Sequence, residues 1–294
     1  MAKIIAGSTG KQLVSLISKD LEIAEIGISI EKFPDHELRV ELANAVNDDV
    51  IIVQSTSKPT NDNLMELLLI VDAVKRAGAK KIIAVVPYFG YSRQNRQTHS
   101  YGTISAQLVA NIIEASGIDH LFTIDLHALN IQSYFKNSIT NIETTDIFAS
   151  ILKDRYDSNI AIVAPDTGGL ARARKLSEKL CVNLITIDKT RNSNGACEMG
   201  RITGNVMGTN CILLDDIIDT GTTLCKSAEI LMQNGACTVE AMATHAVLSG
   251  NAEDKMNQSL IHKITVTNSI PQHKLGTKFE TVDIAPLIAK HLAL

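Results

Sequence analysis

The run Ile212-Leu213-Leu214-Asp215-Asp216-Ile217-Ile218-Asp219-Thr220-Gly221-Thr222-Thr223 decides how the rest of the chain is read. An apolar strand over Cys211–Leu214 leads into two adjacent carboxylates, then a short loop, then the helical pattern Thr222–Asn234. Backbone N–H groups at a helix N-terminus, with a glycine permitting close approach, form a cradle for phosphate. The threonine hydroxyls add donors, and carboxylates beside such a cradle hold sugar hydroxyls or a metal ion. Asp219 and Thr220 also suit helix capping. Capping does not account for the acid pair just past the strand.

Outward from this motif, short β-branched runs alternate with helical patterns. Strands are expected at Lys3–Ala6, Val50–Gln54, Lys81–Pro87 and His120–Asp125, with helices at Gly10–Asp20, Asn61–Ala77 and Ile104–Ser116. The alternation then restarts: helix Thr145–Tyr156, strand Ile160–Ala164, helix Gly169–Leu180, strand Asn183–Ile187, and a last strand at Thr238–His245. Near-continuous apolar strands joined by helices imply parallel sheets covered on both faces. The expectation is an α/β protein of two similar doubly wound domains, over residues 1–142 and 143–282, with mainly parallel central sheets. The polar stretch Asn137–Asp146 marks the boundary, and a helix within 283–294 is expected to pack back on the first domain.

Composition narrows the function classes. At 294 residues the chain fits two domains. With 45% apolar residues, 4% aromatics and no Trp, both cores must be largely aliphatic. A net charge of −4 argues against general nucleic-acid binding, which needs a basic face. No apolar run reaches membrane-spanning length, and the N-terminus lacks a secretory pattern. The five Cys include no C-x-x-C pair, so reduced thiols in a cytoplasm are expected rather than zinc or disulfides.

In open parallel sheets, ligands bind beyond the carboxyl ends of the strands. Arg93 and Gln94 follow one strand, and Arg93 reads either as a surface residue or as a planar fork for phosphate or base. His127 follows another strand, and Asp166 precedes a Gly-Gly turn as a cap, turn former or metal ligand. Lys189 and Arg191 open the segment Lys189–Gly200, which lacks apolar periodicity and reads as a mobile loop.

Together with Phe33-Pro34-Asp35-His36-Glu37, Gln54-Ser55-Thr56 and Asn61–Leu67, these motifs resemble the ribose-phosphate pyrophosphokinases, of the type I phosphoribosyltransferase fold. The resemblance runs in the family's order from about Gly7 to Leu287. It implies transfer of the pyrophosphoryl group of ATP to the anomeric hydroxyl of ribose 5-phosphate, with Mg²⁺. Phe33, Asp35, His36, Glu37, Arg93, Gln94 and His127 then belong to the ATP site. His127 and Asp166 belong to the metal. Lys189 and Arg191 are the catalytic pair. Ribose 5-phosphate falls to Arg191, Asp215, Asp216, Asp219, Thr220, Gly221, Thr222 and Thr223. The Phe33–Glu37 loop is implied to reach a neighbouring subunit's nucleotide, which makes the protein a self-associating oligomer, a dimer or dimers assembled into a hexamer. Neither nucleic acid nor membrane is an expected partner.

Three positions depart from the family pattern: His36 stands for Gly, Asn95 for Asp, and Thr222 for the second small residue of the phosphate loop. A phosphoribosyltransferase on the same fold would share that loop. It would need neither the first domain's Arg93, Gln94 and His127 nor the Lys189–Arg191 segment. A non-catalytic regulatory homologue would have lost catalytic groups that this chain keeps.

Overall fold

The computed structural model describes residues 2–156, 158–191 and 197–293, with only the backbone path at 188–191 and 197–200. The expected α/β fold with mainly parallel strands is present. The chain divides into two compact units, one of residues 1–142, 268–271 and 283–294, the other of 143–267 and 272–282.

The first unit runs β1 (Lys3–Ala6), α1 (Lys11–Asp20), β2 (Ala24–Glu25), β3 (Ile28–Lys32), β4 (Leu38–Leu42), β5 (Val50–Val53), α2 (Thr60–Arg76), β6 (Ile82–Val86), α3 (Ser105–Ser116), β7 (His120–Ile124) and β8 (Ser138–Ile142). Its parallel sheet has the order β2-β1-β5-β6-β7-β8. All four residues of β5 are buried, as a central strand covered on both faces requires. The polar stretch Asn137–Asp146 contains β8, which pairs along β7 from His120↔Ser138 to Ile124↔Ile142. Backbone pairing at a sheet edge needs no apolar run, so composition alone hid this strand.

β3 and β4 form an antiparallel hairpin outside the main sheet. Ile28, Ile30, Val40 and Leu42 alternate along it and pack on the core, while Lys32 ties it to Asp62 of α2 at 2.7 Å. Its turn is the Phe33–Glu37 motif, closed by Phe33 N–H to Glu37 O at 2.8 Å and His36 N–H to Phe33 O at 2.9 Å. His36 takes φ +74°, the left-handed conformation that favours the family's glycine. His36→Gly is expected to stabilise the protein by about 0.5–1 kcal/mol, the relief of left-handed strain less glycine's extra entropy loss. Urea denaturation reads this; an unchanged or lower midpoint contradicts it.

The second unit runs α4 (Thr145–Arg155), β9 (Ile160–Ala164), α5 (Leu170–Leu180), β10 (Asn183–Arg191), β11 (Cys197–Thr203), β12 (Asn210–Ile218), α6 (Thr222–Gln233), β13 (Thr238–Ala246), α7 (Ala252–Gln258), β14 (Lys263–Thr267) and β15 (Phe279–Val282). Its sheet has the order β11-β10-β9-β12-β13-β14-β15, parallel except for β10–β11. The period of two sorts its side chains between two cores. Ile160, Ile162, Ile212 and Leu214 meet Phe148 and Leu152 of α4 and Leu176 of α5. Ala161, Val163, Cys211 and Leu213 meet Leu224, Ala228 and Leu231 of α6. The last helix, α8 (Ala285–Leu292), belongs to the first unit and packs on α1.

Candidate active site

Both sheets reverse strand order beside a central strand, and ligands of open α/β sheets bind at such a point. In the first sheet it lies between β1 and β5. There the turn after β1 is closed by the protein itself. Ser8 donates to Glu66 from its N–H (2.6 Å) and hydroxyl (2.8 Å), and Thr9 donates to Gln54 Oε1 from its N–H (3.1 Å) and hydroxyl (2.7 Å). A buried carboxylate thus occupies donors that would otherwise face an anion.

In the second sheet the reversal lies between β9 and β12. Asp166 follows β9, and the acid pair with its loop follows on β12. Here β12 runs on to Ile218, four residues past the expected end at Leu214, so Asp215 and Asp216 lie within the strand. The extension arises because β13 also continues, pairing Asp215↔Ala243 and Ile218↔Ala246. Alternation along β12 sends Asp216 to the α5 face. Arg172 Nη1 of α5 meets its carboxylate there at 3.2 Å, with the Asp216 side chain only 6% exposed.

Asp215 Oδ1 accepts from the Asp216 N–H at 2.9 Å. Removal from water raises the Asp215 carboxyl well above the ordinary carboxylate range. The neighbouring Asp216 adds to the rise, and Asp166 contributes less, while Arg172 opposes it. Carboxyl groups are therefore gathered at this switch point, a donor chemistry suited to a cation or to sugar hydroxyls.

This shift fixes a stability trend. The folded state keeps the Asp215 proton to higher pH than the unfolded chain, whose Asp titrates at about 3.9. Stability is therefore lost as pH rises from that value through the raised folded pKa. Asp215→Asn should raise the Tm of the ligand-free protein at pH 7, and the gain should shrink towards pH 4. A Tm gain absent at pH 7, or equal at both, would contradict the assignment.

The loop beyond β12 is built around Gly221 at φ +69°, which precedes the first turn of α6. A Cβ there would come within 2.8 Å of Met256 Cγ of α7, so both conformation and space require glycine. Main-chain bonds from Val247 and Leu248 to Ile218 O, and from Ser249 to Asp219 O, all at 3.0 Å, fix the loop's base. Thr222 opens α6, and its hydroxyl accepts from Lys255 Nζ of α7 at 2.9 Å and from Thr220 Oγ1 at 3.2 Å. Lys255 Nζ also donates to Thr220 O at 3.1 Å. Asp166 Oδ1 accepts from Gly169 N–H at 3.1 Å, realising its turn-forming reading with one oxygen.

In the first unit, Arg93 and Gln94 follow β6 and His127 follows the neighbouring β7, so these exposed residues lie at the carboxyl ends of adjacent strands. Gln94 Oε1 accepts from Ser105 Oγ at the start of α3 at 2.7 Å. Asn95, the second departure, links the two loops: its Nδ2 donates to Asn130 Oδ1 at 3.0 Å and its carbonyl accepts from Tyr134 Oη at 2.6 Å. Phe33, Asp35, His36 and Glu37 are all exposed at the β3–β4 turn, with Phe33 42% exposed and Arg39 5.6 Å above its ring. Lys189 and Arg191 fall at backbone register positions opposite Met199 and Cys197. The segment read as a loop is thus partly an antiparallel hairpin, because main-chain pairing does not depend on apolar periodicity. The side chains of Lys189 and Arg191 lie outside the described residues.

Sequence reading missed Arg172 and Lys255 as site residues. The parity of β12 was a usable signal for Arg172. No local signal marked Lys255, because only the packing of α7 on the loop brings it there.

Residues 2–117 match the model of the N-terminal domain of ribose phosphate pyrophosphokinase, and residues 198–293 match the phosphoribosyl synthetase-associated domain. A ribose-phosphate pyrophosphokinase of Agrobacterium fabrum is 45% identical over 91% of this chain and 87% of its own length. The chain belongs to the ribose-phosphate pyrophosphokinase family. The pyrophosphokinase of Helicobacter hepaticus is 41% identical over 98% of this chain and 94% of its own. The crystal structure of phosphoribosylpyrophosphate synthetase from Mycobacterium smegmatis superposes with a TM-score of 0.94 at 32% identity, covering 99% of this chain and 97% of that one. Against this pyrophosphokinase frame, the departures at His36, Asn95 and Thr222 each have a local structural account.

Proposed function

We propose that the chain transfers the pyrophosphoryl group of ATP to the anomeric hydroxyl of ribose 5-phosphate, releasing AMP and phosphoribosyl pyrophosphate. The observation that carries this reading is the acid pair and phosphate loop at the β9–β12 switch point, in a chain similar over nearly its whole length to pyrophosphokinases. Thr220–Thr223 hold the 5-phosphate through backbone N–H groups and hydroxyls at the start of α6. Asp219 lies beside them, and Asp215 and Asp216 accept from the ribose hydroxyls. The anomeric oxygen forms a bond to the β-phosphorus as that phosphorus separates from the oxygen bridging to the α-phosphorus. AMP departs with that oxygen, and the hydroxyl proton is lost to solvent.

Arg93, Gln94 and His127 are the ATP contacts of the first unit. Arg93 suits the role by its planar set of donors. Phe33, Asp35, His36 and Glu37 form an exposed aromatic and acidic turn that completes the ATP site of a second copy, which makes the enzyme an oligomer. Lys189 and Arg191 stabilise the transferring group, and Arg191 also reaches the ribose phosphate.

In the second unit Asp166 would offer Mg²⁺ a hard carboxylate close to Asp215, and in the first unit His127 would offer an exposed imidazole. Mg²⁺ typically retains waters and substrate phosphates alongside few protein ligands. Bound Mg²⁺ neutralises phosphate charge. No described helix is long and apolar enough to cross a membrane. The free thiols Cys181, Cys211, Cys225 and Cys237 suit a reducing cytoplasm.

Isothermal titration tests the sugar-phosphate assignment. Saturable binding of ribose 5-phosphate, with ribose alone far weaker, is expected. Equal affinity for the two would contradict a phosphate-anchored site.

A further inference from the structure

The third departure, Thr222, lies in contact with Lys255, one of the two side chains that sequence reading missed. Its hydroxyl accepts from Lys255 Nζ at 2.9 Å and from Thr220 Oγ1 at 3.2 Å. A hydroxyl has two acceptor positions and one donor. With both acceptor positions used, only the O–H is left to give, and the adjoining ammonium polarises it. Lys255 is itself anchored by Thr220 O at 3.1 Å and is partly exposed, so the charge is fixed at the loop yet not sealed from a ligand. A glycine at 222, as in the family pattern, would provide neither the hydroxyl nor the anchor.

We propose that Lys255 and Thr222 act together as an additional phosphate-recognition pair: Lys255 supplies a cation at the 5-phosphate loop and holds the Thr222 hydroxyl as a donor to the substrate's phosphate. The pair raises affinity for a sugar phosphate and for anions of similar shape, and it does not act on the transferring group. The chemistry is that of charge-assisted hydrogen bonding to phosphate oxygens. The inference rests on assigning this loop to the 5-phosphate.

The test is Lys255→Met, Lys255→Arg and Thr222→Gly in the full-length enzyme, with thermal melts confirming folding. Ribose 5-phosphate binding by isothermal titration and steady-state constants are the readouts. Loss of one charge-assisted contact should weaken ribose 5-phosphate binding and raise its KM by about tenfold to a hundredfold in Lys255→Met. Kcat should stay within about threefold and KM for ATP should not change, since the pair touches neither reacting phosphorus nor nucleotide. Lys255→Arg should restore most of the loss. Thr222→Gly should weaken binding, and its effect should not add fully to that of Lys255→Met.

A folded Lys255→Met enzyme with ribose 5-phosphate affinity within twofold of wild type overturns the proposal, as does a loss confined to kcat. If Lys255→Met fails to fold, Lys255→Gln takes the same measurements and the same thresholds. The titration does not require turnover. A wild-type protein that binds ribose 5-phosphate through Lys255 yet makes no product would thus sink the proposed reaction and leave this inference standing.

Discussion

Replacing Lys189 by Ala is expected to lower kcat by a factor on the order of 10²–10⁴ and to leave KM for ribose 5-phosphate and the melting temperature little changed. Transfer of a phosphoryl-type group spreads negative charge over the equatorial oxygens, and the protein contributes mainly positioning and fixed positive charge. Under the proposed function Lys189 supplies part of that positive charge. Its backbone setting agrees with a directed role. The β10–β11 pairing is irregular between Ile187 and Lys189, and such irregularities re-aim chain segments near active sites. Steady-state kinetics with both substrates, alongside a thermal melt, checks this. A mutant within threefold of wild type would remove Lys189 from the mechanism.

Glu240→Ala should cost about 3 kcal/mol of stability, the cost of breaking a buried ion pair and leaving a charge behind. Glu240 lies in β13 with its side chain 5% exposed. It receives Arg155 Nη1 from the end of α4 and the Tyr156 hydroxyl at 2.8 Å. Arg155, itself 18% exposed, also pairs with Glu280 of β15 at 2.6 Å, and Lys263 of β14 meets Glu280 at 3.0 Å. Burial, and then the Glu240 carboxylate, push the Tyr156 phenol up to about 12. Removing Glu240 strips two buried donors at once. Removing Glu280, which is 41% exposed, leaves Arg155 its main partner and should cost about 1 kcal/mol or less. Urea denaturation of the two mutants separates these cases. Equal losses, or less than 1 kcal/mol for Glu240→Ala, would show that the network does not act as described.

The strands and helices most legible in the sequence are those whose surroundings leave one physical solution. β9 and β12 are apolar on both faces because helices cover both, and the Asp-Thr-Gly-Thr loop announces its own turn. The β3–β4 hairpin was harder to see, since Ile28, Ile30, Val40 and Leu42 alternate with exposed charged and polar residues and present no apolar run. β8 and β11 depend on main-chain pairing at sheet edges, which composition does not encode. At the site, residues on the loops that follow strands could be read locally. Arg172 and Lys255 could not be assigned that way, because each reaches the acid pair or the phosphate loop from a separate helix. The left-handed His36 shows that a departure from pattern can leave the backbone conformation in place and put strain in its stead.

The most direct test is ³¹P NMR of purified protein incubated with ATP, ribose 5-phosphate and Mg²⁺. The account predicts AMP and phosphoribosyl pyrophosphate in equal amounts, with neither formed when ribose 5-phosphate is omitted. ADP with a ribose bisphosphate, or no product from a protein that binds both substrates, would contradict it.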